Sequence, residues 1–133
     1  MNFKGWGRKF SGKRAMFFAS ITGNSFTLLE DGFIKSCSRL GAPSFSVVED
    51  DVGIYYDACC PSRLENLLNF YDFNSDNDLL EKADAAINFI RDNNISKYNS
   101  LGKINYNVIS NKKDRVLIIS QTKGDLSLKY GLS

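Results

Sequence analysis

GWGRKFSGKRA, residues 5–15, decides how the chain begins to fold. Gly7, four intervening residues and Gly12-Lys13 follow the phosphate-cradling P-loop pattern up to its last position. There Arg14 stands in place of the Ser or Thr that would hold Mg²⁺. A P-loop also follows a full strand, and only six residues precede Gly7. Two other readings fit the stretch. It can be the solvated basic start of a helix, or a helix N-terminus whose free amides and dipole bind a phosphate or carboxylate. Either way, Ser11 is the expected cap of a helix over about residues 12–22, stopped by Gly23-Asn24.

The wider composition is that of an ordinary globular protein. The 133 residues suit one domain with a core that needs no staples. Hydrophobic residues make up 43% and charged residues 24%, and the net charge of +2 gives no argument for a nucleic-acid partner. The charge is uneven: Lys4, Arg8, Lys9, Lys13 and Arg14 precede the first acid, Glu30. A targeting peptide would look basic in this way, but the apolar stretch Ala15–Gly23 is short and holds two hydroxyls. No apolar run approaches the roughly 20 residues that span a bilayer. Cys37, Cys59 and Cys60 are odd in number and form no Cys-x-x-Cys, so reduced thiols are expected rather than disulfides or a metal site. The chain has no histidine, which leaves carboxylates as the leading candidates for proton transfer.

Further along, Phe26-Thr27-Leu28-Leu29 predicts a buried strand, Phe45–Val48 a second and Gly53–Tyr56 a short third. Pro61-Ser62 with Glu65 spells a capping box, followed by the helical stripe Leu64, Leu67, Leu68, Tyr71. After a polar break at Asn74–Asn77, Leu79, Leu80, Ala83, Ile87 and Ile90 predict a second helix ending at Asn93-Asn94. Val116–Ile119 has the continuous β-branched look of a strand covered on both faces. The order suggests an α/β layer with parallel strands, in which ligands sit beyond the carboxyl ends of the strands.

Two polar clusters fall at such ends, Glu30-Asp31-Gly32 and Gln121–Asp125, and both could face one cleft. Each has a plainer reading. Glu-Asp-Gly can close a strand in a tight turn, and Asp125 can cap a helix. Tyr55, Tyr56 and Tyr98 are, singly, more often core residues than ligand contacts.

Taken together, GWGRKFSGKRA, LLEDGFIKS, SVVEDDVGIYYDACCPSRLENLL, ISKYN and VLIISQTKGD, in this order, resemble the bacterial capsular polysaccharide biosynthesis proteins that transfer Kdo, an acidic eight-carbon sugar. The resemblance runs over nearly the whole chain. It implies a Rossmann-like lobe of a two-lobed, GT-B-like glycosyltransferase, an incomplete parallel sheet with flanking helices. The implied reaction moves Kdo from CMP-Kdo to a lipid-linked acceptor with retention, at the cytoplasmic face of the inner membrane. No cofactor and no metal is implied.

By this resemblance Glu30 would be the acid/base and Asp125 the nucleophile. Arg8, Lys13, Arg14, Asp31, Gln121 and Thr122 would bind substrate, the basic residues meeting the sugar carboxylate or a phosphate. Ser120 stands where relatives usually have Asp, and Phe10 where they commonly have Pro. The family's preceding strand and its downstream lobe, with a His-Pro motif and most of the CMP surface, have no counterpart here. The expectation is therefore a partial lobe spanning residues 1–133, inactive alone, for which a separately encoded downstream lobe is one possible partner. The rival readings are a non-enzymatic anion-binding or assembly module for capsule synthesis or export, and a degenerate gene fragment. An incomplete sheet also predicts exposed edges and apolar surface, hence aggregation or partner dependence, and the resemblance allows peripheral association with the inner membrane.

Overall fold

The computed structural model describes residues 1–35, 44–99, 118–119 and 121–131. Its elements run β1 (Asn2–Trp6), α1 (Phe10–Thr22), β2 (Ser25–Asp31), β3 (Val47–Asp50), α2 (Arg63–Phe70), a 3₁₀ turn (Phe73–Ser75), α3 (Asn77–Asp92) and α4 (Leu126–Tyr130). The three strands form one sheet in the order β1-β2-β3. β1 and β2 pair in parallel, Phe3 opposite Phe26 and Trp6 opposite Leu29, with α1 as the crossover. The expected α/β layer with flanking helices is thus present.

The sheet is only partly parallel. β3 runs antiparallel to β2, with Leu28 opposite Asp50 and Asp31 opposite Val47. The pairing continues past the ladder through Gly32 N–H to Ser46 carbonyl at 2.9 Å and Phe45 N–H to Lys35 carbonyl at 2.8 Å. The chain therefore returns along the strand it has just left, which needs no crossover helix.

Small residues let α1 lie directly on the sheet. Gly12, Ala15 and Ala19 are its buried positions, while Phe10, Phe17 and Ile21 are exposed. A Cβ on Gly12 would sit 1.9 Å from the Gly7 carbonyl oxygen, and one on Gly5 would sit 2.3 Å from that of Ser11. Neither distance is physically available, so both positions need glycine. The helix begins at Phe10 with Lys9 as an N-cap that makes no side-chain cap bond. Ser11 does not cap it: its hydroxyl accepts from Trp6 N–H at 3.1 Å and closes the corner against β1. The stop is as expected, with Gly23 at φ 65 and its N–H on the Ala19 carbonyl.

Gly53–Tyr56 is an irregular turn rather than a strand. The cause is Asp50, 2% exposed, whose carboxylate accepts from Val52 N–H (2.9 Å), Gly53 N–H (2.8 Å) and Arg63 N–H (2.9 Å). It bends the chain straight after β3 and anchors the first turn of α2. Ser62 caps α2 by accepting from Glu65 N–H at 3.1 Å, as the sequence pattern requires. Asp76 caps α3 in the same way through Leu79 N–H at 3.0 Å. The apolar stripes of both helices exist, but neither helix has a buried residue. Val116 and Leu117 lie outside the described residues. Ile118 and Ile119 are in no strand and are 86% and 84% exposed, unlike the buried strand expected there. No described element packs over that pair.

Candidate functional site

The carboxyl end of β2 opens into a cleft of about 410 Å³. Glu30 and Asp31 line one side, Tyr55 and Tyr56 form a wall, and Gln121, Gly124 and Asp125 approach from the turn before α4. Lys9, Lys97 and Tyr98 also line it, with Leu126 and Ser127 from the start of α4. A larger hollow of about 610 Å³ lies against Leu64 and Leu68, with Tyr55 and Tyr56 lining both spaces. The smaller cleft is the better candidate, because acids, amines and phenols meet there while the larger one is mostly apolar.

Glu30 reaches the cleft because Gly7 leaves room. Gly7 has φ +32, and a Cβ on it would lie 2.2 Å from the Tyr56 hydroxyl and 3.0 Å from Glu30 Oε2. Gly7 N–H donates to the Leu29 carbonyl at 2.9 Å, fixing the corner one residue before Glu30. Glu30 Oε1 in turn accepts from Asp31 N–H at 3.2 Å.

Asp31 pairs with Lys35 at 2.6 Å. Burial would raise the Asp31 carboxyl, but hydrogen bonds with Lys35 and Ser44 and the charges of Lys35 and Lys97 outweigh it and hold it below its usual range.

Asp125 is the N-cap of α4, its Oδ1 accepting from Ser127 N–H at 2.9 Å. The turn before it closes through Asp125 N–H to the Thr122 carbonyl at 3.0 Å, with Gly124 at φ +88. Hydrogen bonding from Ser127 lowers the Asp125 carboxyl, with Lys97 adding to the effect. The cap therefore favours the ionised form of Asp125 at the rim of the cleft. An ionised carboxylate is the form that can attack an electrophilic carbon.

Tyr55 is pushed up by burial first and then by the charges of Glu30, Tyr56, Asp31 and Asp125. Tyr56 is pushed up by burial and by Glu30, although its hydroxyl accepts from Arg8 N–H at 2.8 Å. Both phenols stay protonated near neutral pH, where a phenolic O–H can donate a hydrogen bond.

The basic residues named from the sequence are placed differently from one another. Arg8 turns away from the cleft into a buried ion pair with Asp57. Lys13 is exposed on α1, and Arg14 lies over the rings of Phe10 (5.6 Å) and Phe18 (5.8 Å). Thr122 belongs to the turn and does not line the cleft. Lys9 and Lys97 are the amines that do. The sequence reading did not single out Lys97, although it stands in the ISKYN stretch. Its only local signal was a position just after a helix end, while its backbone carbonyl holds Lys35 N–H at 2.9 Å.

Among the described residues no group of three or more His, Cys, Asp or Glu side chains is arranged to hold a metal. Cys59 and Cys60 are free thiols, and Cys37 lies outside the described residues. No helix among the described residues is long and apolar enough to cross a membrane.

Comparison with known proteins places the sequence and the fold in a family. The family model described as capsule polysaccharide biosynthesis protein matches residues 4–133. The capsule polysaccharide modification protein LipA of Neisseria meningitidis serogroup B is 39% identical over 132 residues, covering 96% of this chain and 19% of LipA. The lipopolysaccharide-processing protein LpsZ of Rhizobium meliloti is 32% identical over 107 residues, 77% of this chain and 24% of LpsZ. Among solved structures, the β-Kdo 2,4 transferase of Thermosulfurimonas dismutans KpsC superposes with a TM-score of 0.83 at 41% identity, covering 96% of this chain and 40% of that one. The β-Kdo 2,7 transferase of the same KpsC gives 0.62 at 28% identity, over 98% and 36%. The chain thus spans about a fifth of the length of the curated relatives and about two fifths of the solved transferase chains. By the family match and these identities, the chain belongs to the capsule polysaccharide biosynthesis protein family.

Proposed function

We propose that this chain, a partial lobe over residues 1–133, supplies the carboxylate-bearing half of a retaining Kdo transferase site. The observation that carries the reading is that Glu30 and Asp125, far apart in sequence, line one cleft. In the proposed reaction the Asp125 carboxylate attacks the anomeric carbon of CMP-Kdo. The bond from that carbon to the phosphate oxygen breaks, and CMP leaves with the electron pair. An acceptor hydroxyl then attacks the same carbon, Glu30 takes its proton, and Asp125 is released. Two inversions give retention, for which retaining glycosidases hold their carboxyls roughly 5 Å apart.

CMP is a good leaving group, so the harder proton step is at the acceptor. Lys9 and Lys97, facing the acids, suit the carboxylate of the sugar or the phosphate of the donor. The acceptor would be lipid-linked, at the cytoplasmic face of the inner membrane.

The chain alone is proposed to be inactive, because most of the donor-nucleotide surface would come from a further lobe. A non-enzymatic assembly role is the second reading, favoured by the exposed apolar faces of α2 and α3. Release of CMP from CMP-Kdo separates the two. The transferase reading expects none from residues 1–133 alone and turnover once a separate polypeptide carrying the downstream lobe is added. No CMP from that mixture would leave the assembly reading standing.

A further inference from the structure

Arg8 looks from sequence like an anion contact, yet its guanidinium turns inside the protein, where both Nη atoms find partners and the buried Nε has none among the described residues. One Nη donates to Met16 Sδ at 3.0 Å and the other to Cys60 Sγ at 2.9 Å and to the Asp57 carboxylate. The two charged side chains are 13% and 2% exposed. The Arg8 Cζ also lies 5.9 Å from the centre of the Tyr130 ring. Its backbone N–H holds the Tyr56 hydroxyl at 2.8 Å.

These partners come from three separate segments. Met16 is on α1, Tyr56, Asp57 and Cys60 are in the turn after β3, and Tyr130 ends α4. The turn and α4 are themselves joined by Ala58 N–H to the Tyr130 carbonyl at 2.8 Å. On the other side, Gly7 N–H ties the same corner to Leu29, next to Glu30. Asp125 caps α4 at its opposite end. Arg8 therefore touches both the turn that carries the tyrosine wall and the end of α4 from the corner tied to Glu30, and so adds a side-chain link to the direct Ala58–Tyr130 bond.

We propose that Arg8 is a positioning residue: its buried pair with Asp57, together with its contact to Tyr130, sets the separation of Glu30 and Asp125. Desolvation strengthens the attraction within the pair, and the planar fork fixes direction as well as distance. The lysine ammonium has the charge without the fork, so Arg8→Lys should loosen the link even where the fold survives. The catalytic part of this inference rests on the transferase reading above; the structural part does not.

The test compares wild type, Arg8→Lys and Asp57→Asn by NMR on residues 1–133. Nuclear Overhauser contacts joining residue 8 and Met16 to the Tyr130 ring and to residues 56–58 are expected in wild type and lost in both variants. Contacts across β1 and β2 at Gly7 and Leu29 should persist in all three. Survival of the Tyr130 and 56–58 contacts in both variants, or their absence from wild type, overturns the proposal.

In the two-polypeptide transfer assay, Arg8→Lys is expected to lower kcat by at least about tenfold with KM within about twofold, since small displacements of reacting groups cost rate rather than binding. A raised KM with kcat preserved would make Arg8 a direct substrate contact and overturn it. If wild type releases no CMP in that assay, the transferase reading fails, and the NMR result alone decides whether Arg8 is the link.

Discussion

The β1–α1–β2 unit buries small residues and leaves phenylalanines outside, whereas α2 and α3 carry textured apolar stripes that bury no residue. In the first region the backbone itself is the packing surface: Gly5 and Gly12 bring the start of α1 onto the end of β1 with no space for a Cβ. In the second, local chemistry is complete. Ser62 and Asp76 cap their helices, and Tyr71 bonds Asp76 between them, but the long-range partner of the stripes is absent among the described residues. Helix formation and helix burial are thus separable. Caps and periodicity specify the former, and only tertiary contact provides the latter.

The contrast can be broken most forcefully at the corner. Gly12→Val places side-chain atoms against the Gly7 carbonyl, where even a Cβ would be 1.9 Å away. Overpacking against backbone should cost more than about 3 kcal/mol and remove the cooperative urea transition. A transition unchanged in midpoint would show that the corner is not close-packed. Next in size is Asp50→Ala, which strands three N–H groups held at 2.8–2.9 Å. A loss of about 2–4 kcal/mol by urea unfolding is expected, with α2 fraying from Arg63. A loss under about 0.5 kcal/mol would assign the turn to other contacts.

A smaller effect separates the ionic link from the apolar corner. Burial alone would raise the Asp57 carboxyl, but the Cys59 amide and the Arg8 charge outweigh burial and lower it below 3.8. A depressed carboxylate contributes stability above its unfolded value and loses it as pH falls through the folded one. Wild type should therefore lose stability below about pH 4 more steeply than Asp57→Asn. Coincident acid limbs in denaturant titrations at stepped pH would remove Asp57 from the account. Smallest of all is Leu68→Ser on α2. Leu68 is 66% exposed, so a change within about 0.5 kcal/mol is expected, together with less self-association by analytical ultracentrifugation. A large loss of stability would mean that the α2 stripe is covered.

What was legible in the sequence follows the same division. The stop at Gly23, the Ser62 cap and the extents of α2 and α3 depend on neighbours within a turn or two, and pattern reading placed them. The corner glycines were visible but suggested a P-loop, because glycine spacing alone does not say whether the missing Cβ makes room for phosphate or for backbone. The direction of β3 was not legible, since alternation is the same for parallel and antiparallel pairing. The strand expected at Gly53–Tyr56 failed because the Asp50 carboxylate, a polar group, outweighs the β-propensity of Ile54 and the tyrosines. Of the residues that the sequence offers for the cleft, Glu30, Asp31, Gln121 and Asp125 line it, while Arg8, Lys13, Arg14 and Thr122 do not. Acids at strand and turn ends are placed by local geometry. Long basic side chains choose among partners that only the fold brings near, as Arg8 does with Asp57.

The division of labour proposed for Glu30 and Asp125 is tested most directly by peptide mass spectrometry of the two-polypeptide mixture after exposure to CMP-Kdo. With Glu30→Gln slowing the second displacement, a Kdo residue should accumulate on the peptide containing Asp125, with release of CMP, and Asp125→Asn should abolish both. Full turnover by Asp125→Asn, with no adduct in the Glu30→Gln chain, would contradict the account.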